Sequence, residues 1–322
     1  MIERLDGETQ FEWKLRLCKA KLNKEIDLDW ADIVEKLDLN ISADHLRKTA
    51  YGYVEYDNYI HGCGNIATRI LALSDFHIPF QLPVDMFTEF AGRVDVLVLN
   101  GDIVDMQAIS KFPKNYRQSP MEEIIVGRDY IIKLIELIQP TKVVATYGNH
   151  EKRFGDYLAK NLDTDLLELM PNTPLELIFT EGFTHYNKRT GVRSWYAPIN
   201  GLFPDIEIDY VGDWKVKIGK TWFAHPLTYS SGTLKTCEKA MDFFLRTDKE
   251  PFDTIVLGHT HKVAQTKIGY VNLFEQGACC DTNKLHYADG RLQVPQKQGF
   301  IYICQNHDGD IVDGRTKLIA LN

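Results

Sequence analysis

Thr254-Ile255-Val256-Leu257-Gly258-His259-Thr260-His261 is a short apolar run that ends abruptly in two histidines separated by one residue. Its length and composition are those of a buried strand. Four earlier segments end in the same manner: Leu71-Ala72-Leu73-Ser74-Asp75-Phe76-His77, Val96-Leu97-Val98-Leu99-Asn100-Gly101-Asp102-Ile103-Val104-Asp105, Val143-Val144-Ala145-Thr146-Tyr147-Gly148-Asn149-His150-Glu151 and Thr221-Trp222-Phe223-Ala224-His225. Each presents polar side chains from the end of a buried strand, and the five ends together read as one metal site.

Working outward from these ends, the chain from residue 66 alternates strands with helices. Strands are expected at 69–74, 94–99 and 142–146, with helices at 84–91 and 121–138 between them. This β-α-β-α-β order implies a largely parallel inner sheet with helices outside it. Ligands of such sheets gather at the carboxyl ends of the strands, where Asp75, His77, Asp102, Asn149 and His150 fall. Residues 151–169 read as helical, and Pro171 and Pro174 break the pattern. The stretch 186–205, rich in Gly, Pro, basic and aromatic residues, is the natural candidate for a substrate-facing insertion. Further strands are expected at 206–210, 214–218, 221–224, 271–275, 300–304 and 311–319, a helix at 233–246, and turns at Asp289-Gly290 and Asp308-Gly309.

The segment before residue 65 has a different character. Phe11, Leu15, Leu17 and Leu22 suit an amphipathic helix, Asp29 offers a cap for a second with Trp30, Ile33, Val34 and Leu37, and Ser42 starts a third through Leu46, Tyr51 and Val54. The domain division expected is therefore a helical unit at 1–64 and the main domain at 65–322, with Tyr59-Ile60-His61-Gly62-Cys63-Gly64-Asn65 as linker. Three short helices resemble a helix-turn-helix. The segment is acidic, however, and only Arg47 and Lys48 cluster on the third helix, so a packing or oligomerisation bundle is the favoured reading.

A formal charge of -8 argues against a generally basic surface made for nucleic acid, while leaving room for a local patch. No run of about 18 apolar residues is present, which excludes a membrane-spanning helix. The first residues have neither the basic nor the apolar region of a signal peptide, so cytoplasmic retention is expected. Cys18, Cys63, Cys237, Cys279, Cys280 and Cys304 form no CxxC pair and are expected to be reduced and structural.

Taken singly, the strand-end motifs are weak. An Asp after a strand is often a helix N-cap, and Asn beside Gly is usually a turn. Their combination is specific: His77, His150, His225, His259 and His261 are five of the ten histidines, and they interleave with Asp75, Asp102 and Asn149. Mixed carboxylate and imidazole donors suit Mn²⁺, Fe²⁺, Zn²⁺ or Ni²⁺. A phosphoester is anionic and resists hydroxide, so two adjacent cations that supply hydroxide and neutralise phosphoryl oxygens address both difficulties.

The ordered motifs DxH, GDxxD, GNH(E/D), a lone His and GHxH resemble those of the calcineurin-like metallophosphoesterases over roughly residues 66–320. The resemblance implies an α/β fold, an α/β/β/α sandwich of two mixed sheets flanked by helices. It implies two divalent metal ions, Mn first among the candidates. Asp75, His77 and His261 would hold one ion, Asn149, His225 and His259 the other, and Asp102 would bridge them, with a metal-bridging hydroxide as nucleophile. An extended backbone through His259-Thr260-His261 would send its two imidazoles to neighbouring metals. His150 is expected as general acid and Asp105 as the group that orients it. Glu151 is expected to cap or anchor a helix.

Substrate choice is read from positive charge. Ser/Thr phosphatases of this type carry Arg after the second motif's Asp and before the third motif's Gly, where this chain has Met106 and Tyr147. Lys152 and Arg153 follow the third motif, Lys111, Lys114 and Arg117 follow the second, and Lys188, Arg189 and Arg193 interleave with Tyr186, Trp195 and Tyr196. A basic and aromatic loop of this kind grips phosphate while stacking on a base. The expected substrate-binding residues are Lys152, Arg153, Arg193 and Trp195. The expected function is a phosphodiesterase of nucleic acid or nucleotides. The alternatives are a phosphomonoesterase of small metabolites or phosphoproteins, and a non-catalytic metal-binding scaffold.

Overall fold

The computed structural model describes residues 3–5, 7–61, 66–111, 116, 118–285 and 295–321. Lys114, Arg117, the linker residues 62–65 and the Asp289-Gly290 turn lie outside the described residues. The chain divides into two compact units, Met1–Ile66 and Ala67–Asn322, two residues beyond the expected boundary.

The first unit holds α1 (Gln10–Leu22), α2 (Trp30–Lys36) and α3 (Ala43–His61). Thr9 and Glu12 cap α1 reciprocally, and at the start of α2 the Asp29 amide donates to Asp32 Oδ2 at 2.8 Å. Leu17, Cys18, Ile33, Leu37, Leu46 and Ala50 form the small core that the three apolar stripes bury. On α3, Arg47 and Lys48 both pair with Asp44, at 2.8 and 2.6 Å, so that helix carries its own counter-charge.

In the second unit, a six-stranded sheet has the order β13-β12-β1-β2-β3-β6, where β1 is Thr68–Leu73, β2 Val96–Asn100, β3 Lys142–Thr146, β6 Glu207–Tyr210, β12 Gly299–Gln305 and β13 Lys317–Ala320. β1, β2, β3 and β6 run parallel, and β12 is antiparallel to both its neighbours. A five-stranded sheet has the order β10-β11-β9-β8-β7, built from β7 (Lys215–Ile218), β8 (Thr221–Ala224), β9 (Thr254–Leu257), β10 (Val263–Ile268) and β11 (Val271–Gln276). β4 (Phe183–Asn187) and β5 (Val192–Tyr196) pair as a separate antiparallel hairpin.

Alternation along each strand sorts the core into three layers. Ile70, Ala72, Val98 and Ile303 of the first sheet meet Phe223, Val256 and Phe274 of the second. Leu71, Leu73, Leu97 and Leu99 face the other way, onto Ile131, Leu134 and Ile138 of α4 (Pro120–Ile138). On the far side of the second sheet, Ile255, Leu257 and Leu273 pack on Cys237, Ala240 and Phe244 of α8 (Lys235–Thr247). The result is an α/β/β/α sandwich of two mixed sheets flanked by helices.

Several expected elements differ in detail. The helix expected at 84–91 is a 3-10 helix, Val84–Phe90. The expected helix at 151–169 becomes α5 (Asn149–Asn161) and the one-turn α6 (Thr164–Leu167), separated at Asp163, which caps the second piece. A further single turn, α7 (Pro174–Glu176), starts at the second proline. The strand expected at 311–319 reduces to β13, with only an isolated bridge from Ile311 to Gln305 before it.

Phe223 is fully buried between the sheets. Phe223→Ala is expected to cost about 3–5 kcal/mol through lost burial and a residual cavity. Urea unfolding should show a lower midpoint at unchanged slope; a midpoint equal to the parent's would contradict this account of the inter-sheet layer.

Candidate metal centre

All five sequence motifs lie at the carboxyl ends of β1, β2, β3, β8 and β9, which the two face-to-face sheets bring together. Asp75, His77, Asp102, His150, His225 and His261 are buried there. Two groups of metal-ligating residues emerge, each with its donor atoms within 4.8 Å of one another: Asp75, His77 and His261, and Asp102, His225 and His259. Asp102 Oδ2 stands 3.1 Å from His225 Nε2 and 3.8 Å from His77 Nε2, within reach of both.

The backbone reaches these positions through the left-handed region. Asp75 (φ 56), His77 (φ 45), Asp102 (φ 52), His259 (φ 74) and His261 (φ 51) all adopt it. Such a conformation costs roughly 1–3 kcal/mol at a non-glycine residue and persists only where the surroundings impose it. It corrects the expected extended backbone at His259-Thr260-His261: the chain bends at both histidines. Between Asp75 and His77, Phe76 points away and packs edge-on against Tyr130 in the core. Glycine is required where the motif backbone meets a ligand. A Cβ at Gly148 would lie 2.2 Å from Asp102 Oδ1, and one at Gly101 would lie 2.6 Å from the His225 ring.

Glu151 anchors the second motif. Its Oε2 accepts the amides of Gly148 and Asp102 at 2.8 and 2.9 Å, and its Oε1 accepts those of Ile103 and Val104 at 2.6 and 3.0 Å. Burial and the nearby Asp102 push its carboxyl up to about 7. Four N–H groups directed at two oxygens leave no lone pair for a proton, and on that ground the group is a carboxylate.

The imidazoles are oriented from behind. His225 Nδ1 lies 2.8 Å from the carbonyl of Asn100, to which it donates, and this bond directs Nε2 at Asp102. His77 Nδ1 lies 3.3 Å from Asp105 Oδ1, so Asp105 orients a histidine of the first group as well as His150. His77, Asp105 and His150 are also mutually close enough to hold an ion. A donor bond from His77 Nδ1 to Asp105 instead frees Nε2 toward Asp75 and His261, and we take this arrangement. The donor set fits a cation. Asn149 Oδ1 and His225 Nε2 are buried without a hydrogen-bond partner. His77 Nε2 and His261 Nε2 face each other at 3.0 Å, two donor atoms converging on one place. Burial would lower the His225 pKa, yet Asp102 and Asp75 outweigh it and push the ring up to about 10, so the local potential strongly favours positive charge. Burial and the neighbouring His225 depress His259 to about 3, which keeps its ring neutral and able to donate a lone pair.

His150 stands at the edge of the cluster. Its amide donates to Asp102 Oδ1 at 2.9 Å, and its Nδ1 is 2.6 Å from Asp105 Oδ1. Burial resists ionisation of Asp105, but His150 and then His77 hold its carboxyl far below the usual range. Arg153 extends Nη1 to the Asp105 carbonyl (2.8 Å) and Nη2 to His150 Nε2 (3.0 Å). Lys152 turns along α5 to Asp156 at 2.5 Å and joins none of these contacts. Arg193 and Trp195 are on the β4–β5 hairpin, not in this cluster.

The residues around this centre match a known family. The model for the calcineurin-like phosphoesterases covers residues 68–263, more than half of the chain. The chain belongs to that family. It is a metal-dependent phosphoesterase, and its buried Asp and His groups are divalent-metal ligands in type and spacing. No curated protein matches the sequence significantly. Among solved structures, an archaeal phosphodiesterase is 15% identical, with 79% of this chain and 99% of that one covered and a TM-score of 0.35. The Zn²⁺ complex of Vps29 from Entamoeba histolytica is 14% identical, covering 79% and 98%, with a TM-score of 0.38. Vps29 from Cryptosporidium parvum is 14% identical, covering 80% and 100%, with a TM-score of 0.35.

Sequence reasoning passed over several residues of the phosphoesterase that support this centre. Asn100, Tyr116 and Glu123 are the main ones. Glu123 had a visible signal, since it shares the buried stripe of α4 with Gly127, Ile131 and Leu134. Met106, where the Ser/Thr phosphatases have Arg, is fully buried in the core.

Glu151→Gln turns one acceptor oxygen into an NH₂ group facing two amide donors. A loss of about 1–3 kcal/mol in stability is expected, together with weaker binding of Mn²⁺ in calorimetry. Parent-like values for both would remove Glu151 as the anchor of the GDxxD turn.

Proposed function

We propose that this phosphoesterase hydrolyses phosphodiester bonds of nucleic acid or nucleotides in the cytoplasm, using two divalent cations held side by side. The observation that carries the two-metal reading is the position of Asp102, whose Oδ2 lies between the two ligand groups. Asp75, His77 and His261 would hold one cation, and Asn149, His225 and His259 the other, with Asp102 common to both. Cations bound there would supply Lewis acidity that activates water at neutral pH and neutralises phosphoryl oxygens. Carboxylate, amide and imidazole donors suit Mn²⁺ first, with Fe²⁺, Zn²⁺ and Ni²⁺ as close alternatives.

His150 is the proton donor in this reading. Its Nδ1–H faces the Asp105 carbonyl at 2.9 Å with Asp105 Oδ1 at 2.6 Å, and the carboxylate stabilises the imidazolium whose Nε2 proton passes to the leaving oxygen. Arg153 donates to the same Nε2, so a protonated His150 and Arg153 compete for the place. An incoming phosphoryl oxygen accepts from the guanidinium and releases Nε2 for its task. The presence of this pair beside the ligands speaks against an idle scaffold.

The hairpin supports a nucleic-acid or nucleotide substrate. Thr184 pairs with Trp195 and Tyr186 with Arg193, which sets the four side chains on one face of the ribbon. That face points to solvent, with Trp195 at 62% and Tyr186 at 51% exposure. Lys188 and Arg189 lie at its turn. Rings and guanidinium presented together suit stacked bases and their phosphates. With Met106 buried and Tyr147 at the other clamp position, the two guanidiniums of the protein phosphatases are missing, which favours a diester over a phosphoprotein.

The Mn²⁺-loaded protein should cleave a bis-aryl phosphate and single-stranded DNA or RNA faster than a mono-aryl phosphate. Preference for the mono-ester with no nucleolytic product would sink the diesterase reading. His259→Ala and His261→Ala should each lower bound Mn²⁺ from two to about one per chain, read by elemental analysis. His150→Ala should keep both ions and lose about 10²–10⁴-fold on alkyl leaving groups; an unchanged rate would remove it from the chemistry.

A further inference from the structure

Behind Asp105 lies a hydrogen-bonded chain that none of the five motifs contains. The Tyr116 hydroxyl is 2.9 Å from Asp105 Oδ2 and 3.1 Å from Glu123 Oε1. Glu123 is fully buried, and its Oε2 accepts the Met106 amide at 2.5 Å. Tyr116 is itself placed by its own amide, which donates to Gln107 Oε1 at 3.0 Å, and by an edge-on contact with Phe80.

A phenol carries one hydrogen, and here it faces two carboxylate oxygens. Were both carboxylates ionised, one of the two contacts would hold no proton and would set lone pair against anion. One of the two acids is therefore protonated. Asp105 is not that one, because its Oδ1 already faces His150 Nδ1 at 2.6 Å and His77 Nδ1 at 3.3 Å. Glu123 has no ion-pair partner among the described residues, and a single amide donor on Oε2 leaves Oε1 free to carry hydrogen. Burial, with the Asp105 charge adding to it, pushes its carboxyl up to about 8.

We propose that Tyr116 and a neutral Glu123 are positioning residues for the Asp105–His150 pair. The Glu123 Oε1–H donates to the Tyr116 oxygen, and the Tyr116 O–H donates to Asp105 Oδ2. The chain locks the carboxylate plane so that Oδ1 meets Nδ1 of His150 and of His77 at once. No proton leaves Glu123 in turnover. The Met106 amide explains why a carboxyl and not an apolar group stands at this buried point of α4: the left-handed turn at Met106 (φ 50) leaves that N–H without a helical or strand partner, and Glu123 accepts it.

The inference rests on the reading of His150 as proton donor, and the test separates the two. Mn²⁺-loaded Tyr116→Phe, Glu123→Ala, Glu123→Gln and His150→Ala are compared on diesters with a nitrophenyl or an alkyl leaving group. In the diamagnetic Zn²⁺-loaded forms, the downfield proton resonance of the His150 Nδ1–H is followed, assigned by its loss in His150→Ala. Tyr116→Phe should lower kcat about tenfold on the alkyl ester and about twofold on the nitrophenyl ester, with KM and metal content unchanged, and should shift the Nδ1–H resonance. Glu123→Ala should act in the same direction. Glu123→Gln should rescue most of that loss, since its amide oxygen takes the Met106 N–H and its NH₂ donates to the tyrosine as the neutral acid does. An unmoved resonance in Tyr116→Phe, or Glu123→Gln as damaging as Glu123→Ala, overturns the proposal. If His150→Ala shows no leaving-group dependence while Tyr116→Phe moves the resonance, the proton-donor reading fails and the positioning chain stands.

Discussion

Asp75 and Asp102 end β1 and β2 with carboxylates that water scarcely reaches, and Asp105 follows three residues later at 3% exposure. Several kcal/mol oppose the burial of each such charge unless a partner compensates it. The rim of the two sheets is organised around that compensation. Asp75, which burial alone would raise, is held at about 2 by His225 and His261. Asp102 is held low by His150 and His225. Asp105 has His150 and His77.

The same constraint accounts for the strained backbone. Five motif residues take left-handed φ values, and the turn they belong to would relax if nothing held it. Local anchors do hold it. The Glu151 carboxylate collects amides from both the GDxxD and the GNH turns, so a side chain at the start of α5 fixes the ends of β2 and β3 together. The His259 amide donates to both oxygens of Asp75, which ties the end of β9 in one sheet to the end of β1 in the other. Cation binding to such a site adds directly to folding free energy, because the ligands converge only in the folded chain.

Positive charge is placed in two separate parts of the same unit. The buried cluster with His150 and Arg153 is suited to the phosphoryl group, which every substrate shares. The β4–β5 hairpin carries flat rings and positive charge on one solvent-facing side, in a chain whose overall charge is -8. Such a strip on an acidic protein is a local feature and not the source of a long-range attractive field.

The sequence by itself determined the strand ends, because an apolar β-favouring run stopped by Asp, Asn or His is a local pattern, and the order of five such ends narrowed the chemistry to one family. It also determined the three helices of the first unit through their caps and apolar spacing. It did not show the β4–β5 hairpin, whose Gly, basic and aromatic composition masks the alternation, nor β10, whose last four side chains are exposed. Only the tertiary structure decided that Asp105 serves His77 as well as His150, that Tyr116 and Glu123 stand behind it, and that Lys152 turns away while Arg153 turns in. Each of these depends on which side chains from distant elements meet in a water-poor space, and a linear pattern records which groups are present but not which of them will share a proton.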